Sequence, residues 1–182
     1  MKPVNITTPR LVLDQPGLAD VDQIAQYCRD PLFETYLTTP WPYRLADAQF
    51  FVGNKVPEGW RTGSEYIWAL RAKGQFLGMI GYVANLSTIG FWIGQPHRGN
   101  GYMTEALAAV ADWVFAAGNA SLAWECVIGN MASVSVARKA GFTFRGEGPG
   151  KMPDRDGLPV MCWHAELLST DSRDPKPGWP TP

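Results

Sequence analysis

A chain of 182 residues, 46% of them hydrophobic, suits one domain with a sizeable core rather than two. Sixteen Lys and Arg against 17 Asp and Glu leave a formal net charge of −1 with both signs scattered, which excludes the basic face that a nucleic-acid partner requires. Three cysteines at irregular spacing form neither a disulfide framework nor a zinc site, and no apolar run has the length of a signal peptide or a membrane span, so a cytoplasmic protein without membrane association is expected.

In chain order, Arg10 to Asp14 alternates apolar and polar residues and predicts a first strand. Pro16-Gly17 breaks it, and Leu18, Val21, Ile24 and Ala25 mark an amphipathic helix reaching about Arg29. Asp30-Pro31 and Thr38 to Tyr43 read as a loop stiffened by prolines, followed by a helix over Leu45 to Val56. Ile67 to Arg71 and Phe76 to Ala84 predict a hairpin turned at Lys73-Gly74, and a further strand runs from Thr88 to Gly94. Met103, Leu107, Val110 and Val114 recur at helical spacing until Gly118 ends the run. Leu122 to Ile128 alternates again, a helix follows Asn130, and Phe142 to Glu147 and Leu158 to Leu167 supply two more strands joined through a charged turn at Lys151 to Asp156. From Ser169 the composition turns to Asp, Ser, Lys, Gly and Pro with one tryptophan, and residues 169–182 are expected to form a disordered tail.

The most informative stretch lies between the Thr88 strand and the Met103 helix. Arg98-Gly99-Asn100-Gly101 is a turn with two residues lacking side-chain bulk, and it feeds a helix N-terminus. Such a turn leaves backbone N–H groups pointing outward with the positive end of the helix dipole behind them, which makes an anion site, and Arg98 adds a charged fork suited to phosphate. It is not a Walker loop, because no Gly-Lys-Ser/Thr follows. Nor is it the dinucleotide fingerprint, because the third glycine and the following acidic strand end are missing.

A second element sharpens this. Asn130, Ser133, Lys139, Gly141 and Phe142 fit the pattern Asn-X-X-Ser-X-X-X-X-X-Lys-X-Gly-Phe, and Arg98, Gly101 and Met103 fit Gln/Arg-X-X-Gly-X-Gly/Ala except that methionine replaces the small residue. Together these resemble the cofactor motifs of the GCN5-related N-acetyltransferase (GNAT) superfamily. The opening Thr8-Pro9-Arg10-Leu11-Val12-Leu13 and the spacing between the motifs resemble its ribosomal-protein N-terminal acetyltransferase (RimJ/RimL-like) branch. The resemblance covers roughly Thr8 to Leu167. It implies an α+β domain over residues 8–168, with a mixed, mostly antiparallel sheet of six to seven strands flanked by about four helices. It also implies acetyl-CoA as cofactor, and direct acetyl transfer through a ternary complex to a primary amine, either a protein N-terminus or a small-molecule amine. Monomer and homodimer both stay open.

The same resemblance assigns cofactor contacts to Trp92 and Ile93 on the strand, to Arg98, Gly99, Asn100, Gly101, Tyr102, Met103 and Thr104 in the loop and helix start, and to Asn130 and Ser133. At Met103 the expected contact is a backbone N–H, which the substitution preserves. Helical spacing puts Asn130, Ser133 and Ala137 on one face. Asn130 is either a ligand of the pantetheine arm or a plain N-cap. Ser133 is expected to give the departing thiolate its proton, since the tyrosine that many relatives use has no counterpart after Asn130.

Where relatives often carry a glutamate as base, this chain has Thr88, leaving Glu65 and Glu125 as carboxylates near predicted strands, whereas Glu105 reads as a first-turn helix carboxylate. At pH 7 an α-amine of pKa about 7.8 is roughly 14% neutral and a lysine about 0.04%, so a site without a strong base favours α-amines. Cys126 reads as a buried structural cysteine or, from the resemblance, as a neighbour of the cofactor sulfur; His164 reads as a core residue, His97 as an idle loop residue or a phosphate contact, and Lys139 as a cation placed by the helix dipole. Trp41 and Tyr43 are the expected walls of the acceptor pocket, where with the one cation Arg44 they would suit a peptide end or a small amine bearing a carboxylate, and no acidic cluster marks a pocket for polycationic drugs. The alternative is a CoA-binding sensor or interaction module without turnover, to which Met103 and Thr88 would point.

Overall fold

The computed structural model of the chain describes residues 2–151 and 153–181, so Met152 of the charged turn and Pro182 of the tail lie outside the described residues. Its frame is one eight-stranded sheet. The strands are β1 (Ile6–Thr7), β2 (Val12–Asp14), β3 (Glu65–Ala72), β4 (Gln75–Val83), β5 (Thr88–Ile93), β6 (Ser121–Val127), β7 (Thr143–Pro149) and β8 (Met161–Leu168). They lie in the order β1-β2-β3-β4-β5-β6-β8-β7. Every neighbouring pair is antiparallel except β5 and β6, which run parallel. The α+β class and the mostly antiparallel sheet are those expected. The strand count exceeds six to seven, because β1 has two residues and is too short for alternation to reveal.

The parallel junction positions the site. β5 and β6 pair at Thr88↔Ala123 and Ile89↔Trp124 and then part, leaving the ends of both strands separated by a wedge. Thr88 adds a side-chain tie to this short junction: its hydroxyl donates to the Ala123 carbonyl at 3.3 Å. The residue standing where a base was sought therefore fastens the two strands at the root of the wedge.

Six α-helices pack around the sheet among the described residues: α1 (Val21–Tyr27), α2 (Pro31–Tyr36), α3 (Leu45–Phe50), α4 (Val56–Thr62), α5 (Tyr102–Ala116) and α6 (Met131–Lys139). The expected count of about four is exceeded for two local reasons. The segment after Asp30, expected as loop, is the short helix α2: the Asp30 carboxylate accepts from Leu32 N–H at 2.9 Å and Pro31 opens the first turn, where a missing N–H is harmless. The helix expected over Leu45 to Val56 continues to Thr62, widening into a π-turn at Phe51–Lys55 before Pro57, which has no N–H to return to the preceding turn. No helix among the described residues is long and apolar enough to cross a membrane.

The core is dominated by indole and phenyl rings, with Trp60, Trp68, Trp124 and Phe142 fully buried. The C-terminal segment departs from the expectation of disorder. Trp179 is only 8% exposed, its ring 5.6 Å from Trp124 and 5.5 Å from Phe144. Arg173 pairs with Asp112 at 2.6 Å and Lys176 with Asp171 at 2.8 Å. One large buried ring with two ion pairs supplies what the polar composition lacks. The segment also crosses Gly141 so closely that a Cβ there would lie 2.7 Å from the Arg173 Cα.

Candidate functional site

The wedge opens onto a groove built by the loop after β5. Gly94 ends the strand and packs its Cα against the Tyr27 ring, where a Cβ would stand 2.6 Å away. Tyr27 Oη lies 2.8 Å from His97 Nε2, which fixes the 3-10 turn Gln95–His97, and burial pulls the imidazole pKa below its ordinary value. Gly99 and Gly101 then take φ of +78° and +77°, a left-handed region that costs other residues about 1–2 kcal/mol. Helix α5 starts at once. Its first intrahelical bond is Glu105 N–H to the Gly101 carbonyl at 3.1 Å, so the amides before it have no partner within the helix.

This loop is braced from both sides. Arg10 donates from Nη1 to the Asn100 carbonyl at 2.9 Å and from Nε to Glu105 at 2.6 Å, while Thr8 Oγ1 donates to the other Glu105 oxygen at 2.6 Å. Burial raises the Glu105 pKa, but these bonds outweigh it and hold the carboxyl below its ordinary range. Glu105 is thus a structural carboxylate, as its first-turn position suggests. On the inner side, Arg98 spends much of its fork within the protein: Nη2 meets Asp30 at 2.6 Å and Nε donates to the Ile93 carbonyl at 3.3 Å. Asp30, the cap of α2, thus engages one end of the fork, while Arg98 lines the groove.

The groove has a volume of about 520 Å³ and brings together Trp92, Ile93, Arg98, Gly99, Gly101, Tyr102, Met103, Thr104, Asn130 and Ser133. Asn100 is the loop residue outside this lining. Its side-chain amide donates to the His97 and Arg98 carbonyls at 3.2 and 3.1 Å and serves the turn itself. Met103 is 4% exposed, its side chain sunk in the core, so the departure from a small residue costs the groove nothing.

On the far wall, α6 is capped by Asn130, whose Oδ1 accepts from Ser133 N–H at 3.2 Å. The cap engages the oxygen only and leaves the amide nitrogen for other use. Ser133 Oγ accepts from Trp124 Nε1 at 3.2 Å; indole N–H can only donate, so this bond does not use the serine's own proton. Beside it, burial pushes the Cys126 thiol up to about 12, with the nearby Cys162 adding to the rise and a hydrogen bond with Ser133 opposing it. A thiol held that firmly protonated is a poor nucleophile.

A second cavity of about 510 Å³ lies beyond Phe91 and Trp92, which line both spaces, as do Tyr36 and Leu37 at the end of α2. It contains Tyr43, Glu65, Thr88 and Glu125. Tyr43 is 5% exposed, and burial, with Cys28 and Asp47 nearby, raises its pKa. Trp41 lines neither cavity; of the two aromatic residues flanking Pro42, only Tyr43 turns into the core. Glu125 accepts from Lys151 N–H at 2.9 and 3.0 Å and lies 3.5 Å from His164 Nδ1.

The structure also adds Phe33 and Lys139 to the groove, neither of them expected there. Phe33 belongs to the helix mistaken for a loop. Lys139 could have been found: Ala132, Ser135, Val136 and Lys139 recur three and four residues apart and form one face of α6, all of it lining the groove.

Residues 10–143 match the acetyltransferase (GNAT) domain family. Among solved structures, the chain is similar to RimL, a ribosomal L7/L12 alpha-N-protein acetyltransferase, in complex with coenzyme A in disulfide linkage to a cysteine (18% identity, TM-score 0.77, covering 91% of this chain and 98% of that one). It is similar to the microcin C7 self-immunity acetyltransferase MccE in complex with acetyl-CoA and AMP (18%, 0.76, 88% and 93%). A third is Mycobacterium smegmatis RimJ in complex with a CoA disulfide (16%, 0.76, 92% and 87%). At such identities these likenesses speak for the fold. No curated protein matches the sequence.

Proposed function

The chain belongs to the GNAT acetyltransferase family and is an acetyl-CoA-dependent N-acetyltransferase; from that premise we propose that it stands on the RimJ/RimL-like branch and passes the acetyl group directly to a primary amine, a protein N-terminus or a small-molecule amine, within a ternary complex. One observation carries this reading: two cavities, each of a size to take a ligand, meet at Phe91 and Trp92 where β5 parts from β6.

Acetyl-CoA supplies an acetyl group activated as a thioester. The groove suits it, because Gly99 leaves open space where a Cβ would stand and the amides at the start of α5 favour a diphosphate. Gly99, Gly101, Tyr102, Met103 and Thr104 would hold that end from the main chain, with Trp92, Ile93 and Asn130 along the arm. Ser133, whose hydroxyl proton is not used by the bond from Trp124, donates to the leaving sulfur. Glu65 and Glu125, both in the second cavity, are the carboxylates that can take the proton from the amine, directly or through water. The high pKa of Cys126 argues against an acetyl-cysteine intermediate and for direct attack.

Initial rates of thiol release, measured while acetyl-CoA and an accepting amine are varied together, test this. A ternary complex gives intersecting double-reciprocal lines. Parallel lines would establish an acetyl-enzyme and remove the proposal.

A further inference from the structure

We infer that the amine accepted in the second cavity carries an apolar, ring-sized body and no carboxylate beside its nitrogen; this rests on the acceptor site proposed above and specifies its substrate class. The floor of the cavity is a trough made by two glycines. Gly81 and Gly90 are direct partners across β4 and β5, and Ile67 is the partner of Gly81 on β3. Neither glycine has a positive φ, so backbone conformation does not demand glycine at either position. At Gly90 an added Cβ would meet nothing within 4 Å, and at Gly81 it would touch the Ile67 side chain at an ordinary 3.4 Å. Close packing does not demand glycine either. What the pair supplies is space on a sheet surface that side chains would otherwise fill, a known mark of close ligand approach.

The surroundings of the trough define what fills it. Strand alternation puts Glu65 and Ile67 of β3, Trp92 of β5 and Glu125 of β6 on the face that the two glycines leave open. Tyr43, Phe50 and Phe51 add aromatic wall, with Phe50 61% exposed. The charged groups in the lining are Asp47, Glu65 and Glu125 against Lys55 alone. An ammonium entering this cavity meets an excess of carboxylate, and a carboxylate on the carbon bearing that ammonium meets the same excess with the opposite sign. The chemistry recognised is therefore a cationic amine followed by apolar bulk. It can come from a free arylalkylamine or from the first residue of a peptide, whose own carboxyl is an amide.

The test is thiol release from acetyl-CoA with 2-phenylethylamine, phenylalanine, phenylalanine amide and ethylamine, and with peptides that begin with Phe or with Ser. We expect kcat/KM for 2-phenylethylamine to exceed that for phenylalanine and that for ethylamine at least tenfold. Phenylalanine amide should recover most of the loss, and the Phe peptide should exceed the Ser peptide. If the free amine is idle but the Phe peptide is acetylated in preference to the Ser peptide, the chemistry holds and its source is a peptide. Gly90→Ala and Gly90→Val, which place methyl groups into the open trough, should lower the rate with 2-phenylethylamine or the Phe peptide progressively, tenfold or more for valine. Both should keep the rise in melting temperature that coenzyme A gives the parent protein. Equal rates with phenylalanine and 2-phenylethylamine, preference for ethylamine or for the Ser peptide, or indifference to Gly90→Val would overturn the substrate class while leaving acetyl transfer standing. Release with none of these acceptors would overturn the acceptor site and the inference together.

Discussion

Replacing Gly94 by alanine tests whether the groove owes its shape to packing behind the loop. The new Cβ would stand 2.6 Å from the Tyr27 ring, against an optimal carbon–carbon separation of about 3.5–4.0 Å, so the ring or the strand end has to yield by roughly 1 Å. Tyr27 cannot move that far and keep its 2.8 Å bond to His97. Overpacking of this kind costs about 1–3 kcal/mol and a lost hydrogen bond about 0.5–1.5 kcal/mol, together about 2–4 kcal/mol. For a chain of this size that corresponds to a fall in melting temperature of roughly 4–16 °C. Because Gln95–His97 leads directly into Gly99 and Gly101, the same displacement should weaken coenzyme A binding by about tenfold or more. Tyr27→Phe, which removes the hydroxyl and keeps the ring, should show only the smaller hydrogen-bond loss. Calorimetric titration with coenzyme A and a thermal melt on each variant decide the matter. A Gly94→Ala protein that melts within a degree of the parent and binds coenzyme A equally well would refute the reasoning.

Ser133→Ala should lower kcat about 10²-fold or more with little change in coenzyme A affinity, because only proton donation in the transition state is lost; an equal kcat would take Ser133 out of the mechanism. Burial keeps the His97 pKa below 6.5, so its contribution to stability is complete above that pH and is lost as pH falls toward the folded value. Urea melts between pH 7 and 5 should show the parent losing stability faster than His97→Gln, and parallel curves would contradict this. Trp179→Ala removes a ring packed on Trp124 and Phe144 and should cost about 3 kcal/mol, or roughly 6–12 °C of melting temperature. An unchanged melt would mean that the C-terminal segment contributes nothing to the fold.

Features carried by neighbours along the chain were legible in the sequence. Alternation around Lys73-Gly74 announced the β3–β4 hairpin, and that turn has positive φ at both residues. The paired glycines before Met103 announced the tight turn that opens α5. Features that need a partner from elsewhere were not. Nothing near Arg98 indicates that Asp30, 68 positions away, pairs with it. A lone tryptophan in a polar tail reads as solvated until Trp124 and Phe144 are brought beneath it. Pro31 reads as a breaker until Asp30 is seen capping the helix it opens. Gly81 and Gly90 are unremarkable in sequence and acquire meaning only from the register that sets them side by side.

The most direct test of the central claim is a crystal structure with a bisubstrate ligand in which the coenzyme A sulfur is joined through an acetyl bridge to 2-phenylethylamine. The prediction is a diphosphate within hydrogen-bond distance of main-chain amides between Gly99 and Thr104, a bridge beside Phe91 and Trp92, and a phenyl ring over Gly90. A diphosphate seated away from those amides, or an amine half lying outside the cavity that holds Glu65 and Glu125, would contradict it.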